Sequence, residues 1–185
     1  MCIRDRQMAR WEADSRDWHI WCAASSTGEE PYTLAMLCMD YLGLDYPNWD
    51  TQVLATDIDT HVLDIARKGI YTKDSVEHLP HTYVRRFFRN YSDKEYQVTK
   101  ELKEQVLFRQ FNLMNPLPFS RPLHVVFLRN VMIYFEEETK LRLLNQIYDK
   151  LIPGGYLFIG STESINQNHG KFEYIKPSVY RKPLY

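Results

Sequence analysis

In the stretch Ala23-Ala24-Ser25-Ser26-Thr27-Gly28-Glu29-Glu30-Pro31, two carboxylates stand where an apolar run hands over to a helix, and Asp57 ends the next apolar run. The stretch has neither GxGxxG nor a P-loop lysine, so a phosphate would meet two acids there. Two readings stand for Glu29 and Glu30: they complement the positive end of the helix dipole, or they face a cationic ligand. Asp57 is placed where a carboxylate accepts both hydroxyls of a ribose, whereas Asp59 or Thr60 is better placed to cap the helix that follows. Arg85, Arg86 and Arg89 could hold an anionic acceptor group in fixed orientation, or form a solvated helix surface. The histidines, His19, His61, His78, His81, His124 and His169, show no ligand spacing, and Cys2, Cys22 and Cys38 form no CxxC pair. Neither a metal site nor a disulfide framework is expected, and a reducing, cytoplasmic setting is.

The elements that must position these groups alternate between strand and helix. His19–Ala24, Gln52–Ile58, Leu123–Leu128 and Tyr156–Ile159 read as buried strands. Pro31 suits the first turn of a helix whose stripe is Leu34, Leu37, Cys38, Tyr41 and Leu42. Thr60 to Lys68 is a second helix, stopped by Gly69. The third carries Leu144, Ile147, Tyr148 and Leu151 and is stopped by Pro153-Gly154-Gly155. From Tyr71 to Leu113 the pattern weakens to a short helix near Thr82–Phe88 and a hairpin of Tyr96–Val98 with Gln105–Phe111. Met132 and Ile133 are expected in the core, and Phe172–Ile175 with Val179–Arg181 form a closing hairpin. Such alternation predicts an open, mainly parallel sheet with helices on both faces, with ligands at the carboxyl ends of the strands. The loops of interest are therefore 24–31, 56–59, 111–116 and 128–135. With 185 residues, 44% hydrophobic, 7 Gly and a net charge of −1, the chain is one α/β domain rather than a disordered or nucleic-acid-coating protein. No run approaches the roughly 20 apolar residues of a membrane span.

An acidic first loop, Asp57 and the PGG turn before a late strand suit S-adenosylmethionine better than a dinucleotide, because its sulfonium and ammonium are positive and it has no pyrophosphate. At the level of motifs, AASSTGEEPY (23–32), ATDIDTHVLDIA (55–66), GIY (69–71), FNL (111–113), LRNVMIYF (128–135) and PGGYLFIGSTE (153–163) resemble, in order, the catalytic domain of the CheR-type chemoreceptor glutamate methyltransferases. The resemblance implies a class I S-adenosylmethionine-dependent methyltransferase fold, Rossmann-like, with a small β subdomain inserted. It implies transfer of a methyl group to glutamate side chains of chemoreceptors in chemotaxis adaptation. A CheR-like module that binds the cofactor or S-adenosylhomocysteine and regulates without turnover is the alternative.

By motif the resemblance assigns cofactor contacts to Glu30, Asp57, Asn112, Leu113, Arg129 and Asn130. It sets Tyr134 at the methyl group and Arg89 on the acceptor carboxylate, with no metal. The implied partner is the cytoplasmic domain of methyl-accepting chemoreceptors, engaged by a cytoplasmic monomer without nucleic acid or membrane insertion. The expected division is a ragged segment 1–17 and a catalytic domain 18–185, with 91–111 as the inserted β subdomain, whose short turn suggests no receptor-tail tether. The family's helical N-terminal domain is expected to be missing, with weaker cofactor binding and slower turnover than in a longer parent chain.

Overall fold

The computed structural model describes residues 15–165 and 171–185; His169 and most of the 1–17 segment lie outside them. Its strands are β1 (Ile20–Cys22), β2 (Val53–Asp57), β3 (Ile70–Thr72), β4 (Phe88–Asn90), β5 (Glu95–Val98), β6 (Val106–Gln110), β7 (Leu123–Leu128), β8 (Leu151–Ile159), β9 (Glu173–Lys176) and β10 (Val179–Arg181). Seven of them form the main sheet in the order β6-β2-β1-β7-β8-β10-β9. All pairings from β6 to β8 are parallel, and β10 runs antiparallel to both β8 and β9. The mainly parallel sheet with a closing antiparallel hairpin is the expected architecture.

Central parallel strands are buried on both faces, which explains their unbroken apolar runs. In β1 the alternation of side chains splits the run between two cores. Ile20 and Cys22 join one apolar cluster, and Trp21 joins the other. The first cluster is covered by helices α1 (Glu29–Leu42) and α2 (Thr60–Lys68), the second by the helix Glu137–Lys150. In α1 the buried face is Tyr32, Ala35, Met36, Cys38 and Met39, while Leu37 is 50% exposed. Four of the five expected stripe residues face the core, Cys38 within it and Leu34, Tyr41 and Leu42 packed against it; only Leu37 points away. Asp59, not Thr60, caps α2, its side chain accepting the His61 amide at 2.7 Å.

Three short helices follow α2: α3 (Lys73–Val76), α4 (His81–Phe87) and α5 (Lys100–Lys103), so that Glu137–Lys150 is α6. They surround a second, antiparallel sheet in the order β3-β5-β4. This sheet is built from residues 70–98, and the expected insertion 91–111 contributes only β5 to it. The expected hairpin of 96–98 with 105–111 does not form. β5 pairs with β4 and β3, and β6 instead lies parallel to β2, with Val53 opposite Val106. Burial accounts for the choice, because Val106 and Phe108 alternate onto the first core cluster, to which Tyr71, Phe88 and Val98 of the small sheet also belong. The two sheets share one core. α6 ends at Lys150, and β8 runs straight through Pro153-Gly154-Gly155, with a register irregularity against β7 between Leu123 and Val125.

Burial also sets a pH limit on this core. The Cys38 thiol is pushed up to about 12, and the Tyr32 and Tyr71 hydroxyls are likewise raised, each chiefly by loss of hydration. Both phenols donate to carbonyls, Tyr32 to Ala66 at 2.9 Å and Tyr71 to Thr27 at 2.8 Å. A raised folded value leaves stability intact below the unfolded pKa and removes it as the pH climbs toward the folded one. The melting temperature should be insensitive to these groups up to about pH 8 and fall between about pH 9 and 11. Circular dichroism melts across that range check this, and a constant or rising value would contradict it.

Candidate functional site

The loops that follow β2, β1 and β7 meet at the carboxyl edge of the sheet, where β1 has β2 on one side and β7 on the other. At such a reversal of strand order, open α/β sheets bind ligands in a crevice outside the strand ends, so this edge is the expected place for one. The Ala23 amide bonds the Phe127 carbonyl at 2.8 Å, and the Ser25 amide bonds Thr56 at 2.8 Å. The first loop thus leaves β1 between its two neighbours. Thr56 holds it from beneath, donating its hydroxyl to the Ala23 carbonyl at 3.0 Å while accepting the Trp21 indole N–H at 3.0 Å.

Ser26 then adopts φ +46°, and its amide donates to Asp57 Oδ2 at 2.9 Å; Asp57 Oδ1 accepts the Asp59 amide at 3.1 Å. Asp57 is therefore already a structural pin for the loop, and its half-exposed carboxylate keeps further acceptor capacity. Gly28 turns the chain into α1 at φ +97°, and a Cβ on it would lie 2.8 Å from Ala66 Cβ and 3.0 Å from the Tyr71 hydroxyl oxygen. The contact that Tyr71 makes with Thr27 ties the small sheet to this loop.

The two loop acids separate. Glu29 stays local, accepting the Thr27 hydroxyl at 2.7 and 2.9 Å in the first turn of α1, as a dipole-complementing residue would. Glu30 reaches across to the neighbouring strand ends. Its Oε1 pairs with Arg129 from the loop after β7, and its Oε2 accepts the Cys22 thiol at 3.2 Å. Burial, and after it the adjacent Glu30 carboxylate, holds the Cys22 thiol protonated, its pKa well above the usual range despite the opposing Arg129 charge. Cys22 is a hydrogen-bond donor here, not a nucleophile.

On the β6 side the Phe111 amide donates to the Asp57 carbonyl at 2.9 Å, bringing Asn112 and Leu113 beside the Asp57 turn. Asn112 Oδ1 accepts the Met114 amide at 2.9 Å, and Leu113 is buried in the second core cluster. On the β7 side Asn130 sits at φ +56°. A short turn, Met132–Tyr134, follows, with Met132 in the core as expected. Ile133 is 53% exposed, contrary to expectation, because a three-residue turn can bury only one of these neighbours. Tyr134 is 78% exposed and so is not a core aromatic. Glu30, Asp57, Asn112, Leu113, Arg129 and Asn130 thus follow or close four neighbouring strands, β6, β2, β1 and β7.

Arg89 is not among them. It lies on the outer strand β4 of the small sheet, and its Nη1 donates to the carbonyls of Phe88 at 2.7 Å, Arg85 at 3.0 Å and Arg86 at 3.4 Å, at the carboxyl end of α4. The geometry makes it a helix-end cation. No metal-holding group of His, Cys, Asp and Glu occurs among the described residues. His19 and His124 pair structurally, the His19 amide donating to His124 Nδ1 at 2.9 Å.

Three contributors lie inside the quoted motifs without having been given a role there: Tyr71, Thr56 and Glu163. Tyr71 and Thr56 act through the backbone contacts above. Glu163 accepts the amides of Gly160, Asn130, Val131 and Met132. It also lines, with Met132, Ile133, Glu137, Lys140, Thr162 and Ser164, a hollow of about 370 Å³ beside the Tyr134 turn. Its only signal in the sequence was its place in the GSTE stretch that follows β8, three residues after Gly160.

The residues present suit an adenosyl sulfonium ligand. The crevice offers Glu30 and Asp57 to a cation and a ribose, and Ser25 Oγ, in a residue 3% exposed, is left without a hydrogen-bond partner within the first loop. The family profile "CheR methyltransferase, SAM binding domain" matches residues 2–181. The chain is 40% identical over 171 residues to a chemotaxis protein methyltransferase of Borreliella burgdorferi, covering 92% of this chain and 60% of that one. It is 38% identical over 170 residues to the chemotaxis protein methyltransferase of Escherichia coli, covering 90% and 59%. The chain therefore spans about three fifths of the length of these curated relatives. In fold it is similar to a pericyclic reaction enzyme, with a TM-score of 0.50, 16% identity, and 89% of this chain and 32% of the other covered. No described helix is long and apolar enough to cross a membrane. With a profile match over nearly its whole length and a class I methyltransferase sheet order, the chain belongs to the CheR methyltransferase family, as its SAM-binding domain.

Proposed function

We propose that this chain binds S-adenosylmethionine in the crevice above β1, β2 and β7 and transfers its methyl group to glutamate side chains in the cytoplasmic domain of chemoreceptors. In this reading it works as a cytoplasmic monomer. The observation that carries the proposal is the convergence of Glu30, Arg129 and Asp57 on the edge where the strand order reverses. Asp57 would hold the ribose, and Glu30 the methionine end, with Asn112, Leu113, Arg129 and Asn130 lining the remainder. When bound, the cofactor supplies an electrophilic methyl group on a positively charged sulfur.

No residue of the chain has to remove a proton, because an acceptor glutamate, with an ordinary pKa of about 4.3, is ionised near neutral pH. The chain's work is alignment and exclusion of water. Attack of a carboxylate on a sulfonium cancels two charges, so a dry site opposes the reaction less than bulk water does. Tyr134, exposed beside the crevice loop, would present its hydroxyl to the acceptor side, whereas Arg89 is engaged at the end of α4 and would need to leave those carbonyls to serve as a clamp.

The test is transfer of a radiolabelled methyl group to a chemoreceptor cytoplasmic fragment, with release of the label by base as expected for an ester. Cofactor binding without any transfer would favour the regulatory module instead. Tyr134→Phe should lower kcat roughly tenfold or more while leaving S-adenosylhomocysteine affinity within about twofold of wild type. A variant that loses binding and keeps kcat would reverse the assigned role.

A further inference from the structure

The loop from Arg129 to Tyr134 carries three of the proposed functional residues, yet much of its backbone bonding runs to a side chain some thirty positions later. Glu163 Oε1 accepts Met132 at 2.8 Å and Val131 at 3.0 Å; Oε2 accepts Gly160 at 2.6 Å and Asn130 at 3.0 Å. Three consecutive amides, the first from a residue in the left-handed region, form a concavity of N–H groups that selects an anion. Only an ionised carboxylate has acceptor sites for four donors at once. A glutamine would offer one acceptor oxygen and turn an NH₂ group towards amides that also donate.

The neighbouring positions are shaped around this contact. A Cβ at Gly160 would lie 2.7 Å from Glu163 Oε2 and 3.0 Å from the Asn130 nitrogen, so only a bare backbone lets the end of β8 approach the loop this closely. The Glu163 amide returns to the Gly160 carbonyl at 3.1 Å, and the Ser178 hydroxyl donates to the same carbonyl at 3.2 Å, which fixes the anchor to the terminal hairpin. Asn130 at φ +56° is a conformation that persists only where its surroundings over-determine it.

We propose that Glu163 is the positioning residue of this site: by holding the amides of residues 130–132 it fixes the loop in the conformation that delivers Arg129 to Glu30 and keeps the Tyr134 turn formed. It touches neither reacting group, and the functional part of this inference rests on the cofactor reading above. The anchor predicts that the Asn130, Val131 and Met132 amides exchange slowly with solvent.

The experiment compares the wild-type chain, Glu163→Gln and Glu163→Asp at a temperature where each is folded by circular dichroism. Amide hydrogen exchange and calorimetric binding of S-adenosylhomocysteine are the two readouts. In Glu163→Gln, exchange at 130–132 should quicken at least tenfold, by order of magnitude, and affinity should fall roughly 10- to 100-fold, as small displacements of binding groups do. Glu163→Asp, which keeps the charge, should recover part of both. Should Glu163→Gln not fold, the wild-type exchange pattern and Glu163→Asp still decide the matter. Unprotected amides at 130–132 in the wild type, or full affinity in Glu163→Gln, would overturn the proposal. Protected amides in a wild-type chain that binds no S-adenosylhomocysteine would support the anchor and overturn the cofactor reading instead.

Discussion

Asp57→Ala should lower affinity for S-adenosylhomocysteine at least about 100-fold, equivalent to about 2.7 kcal/mol. Two losses combine. The carboxylate would no longer accept the ribose hydroxyls, and the Ser26 and Asp59 amides would lose their acceptor. Hydrogen bonds to a charged group are worth about 1.5–3 kcal/mol each, with the lower end appropriate for a half-exposed acid. Ser26 stands at φ +46°, so without the pin it has reason to relax, taking the first loop with it. Fold stability should fall as well, by about 1.5–3 kcal/mol, because two amides lose a charged acceptor even though the residue fills neither core cluster. Asp57→Asn, keeping one acceptor oxygen, should fall between. Titration calorimetry on the three proteins measures the effect, and affinity within threefold of wild type for Asp57→Ala would remove the proposed ribose contact.

Gly28→Ala should cost about 2–5 kcal/mol of fold stability, lowering Tm by roughly 5–20 °C. At φ +97° an L-residue is strained by itself, and the added methyl would meet Ala66 Cβ at 2.8 Å and the Tyr71 hydroxyl oxygen at 3.0 Å. Neither neighbour can yield cheaply: Ala66 belongs to a packed helix, and Tyr71 is held by the Thr27 carbonyl. Gly43→Ala provides the comparison, because Gly43 also has a positive φ, +55°, with nothing within 4 Å of the added atom. With ψ −120°, outside the left-handed helical region, its cost should be the backbone strain alone, about 1–3 kcal/mol. Thermal melts of both variants separate packing from strain; equal melting temperatures would mean that α1 and α2 are not locked together at Gly28.

Several features of the site were legible in the chain because neighbours within a few positions create them. Apolar runs such as Leu123–Leu128 mark strands that are buried on both faces, and the predicted bounds of β7 match its observed ones. Gly69, at φ +57°, stops α2 for the local reason expected. The stripe on α1 was legible except at one edge, because periodicity names a face only up to about one position: Leu34, Cys38, Tyr41 and Leu42 pack on the core, but the sheet buries Ala35, Met36 and Met39 and leaves Leu37 out. The hairpin expected from 96–98 and 105–111 failed for a related reason: strand propensity says that a segment will pair but not with which partner.

By itself, the amino-acid order determined the strand and helix succession, the acidic loop at a strand-to-helix turn, Asp57 at the following strand end and the motifs that mark the family. These follow from local sterics, side-chain periodicity and residue chemistry, which act over one or two turns of chain. The motif resemblance already singles out Glu30 over Glu29; only the tertiary structure decided that Arg129, 99 positions away, meets it, and that Glu163 holds the backbone on which Arg129 depends. Those choices depend on strand order and register, and a charge finds its partner only once the sheet has set which loops lie side by side.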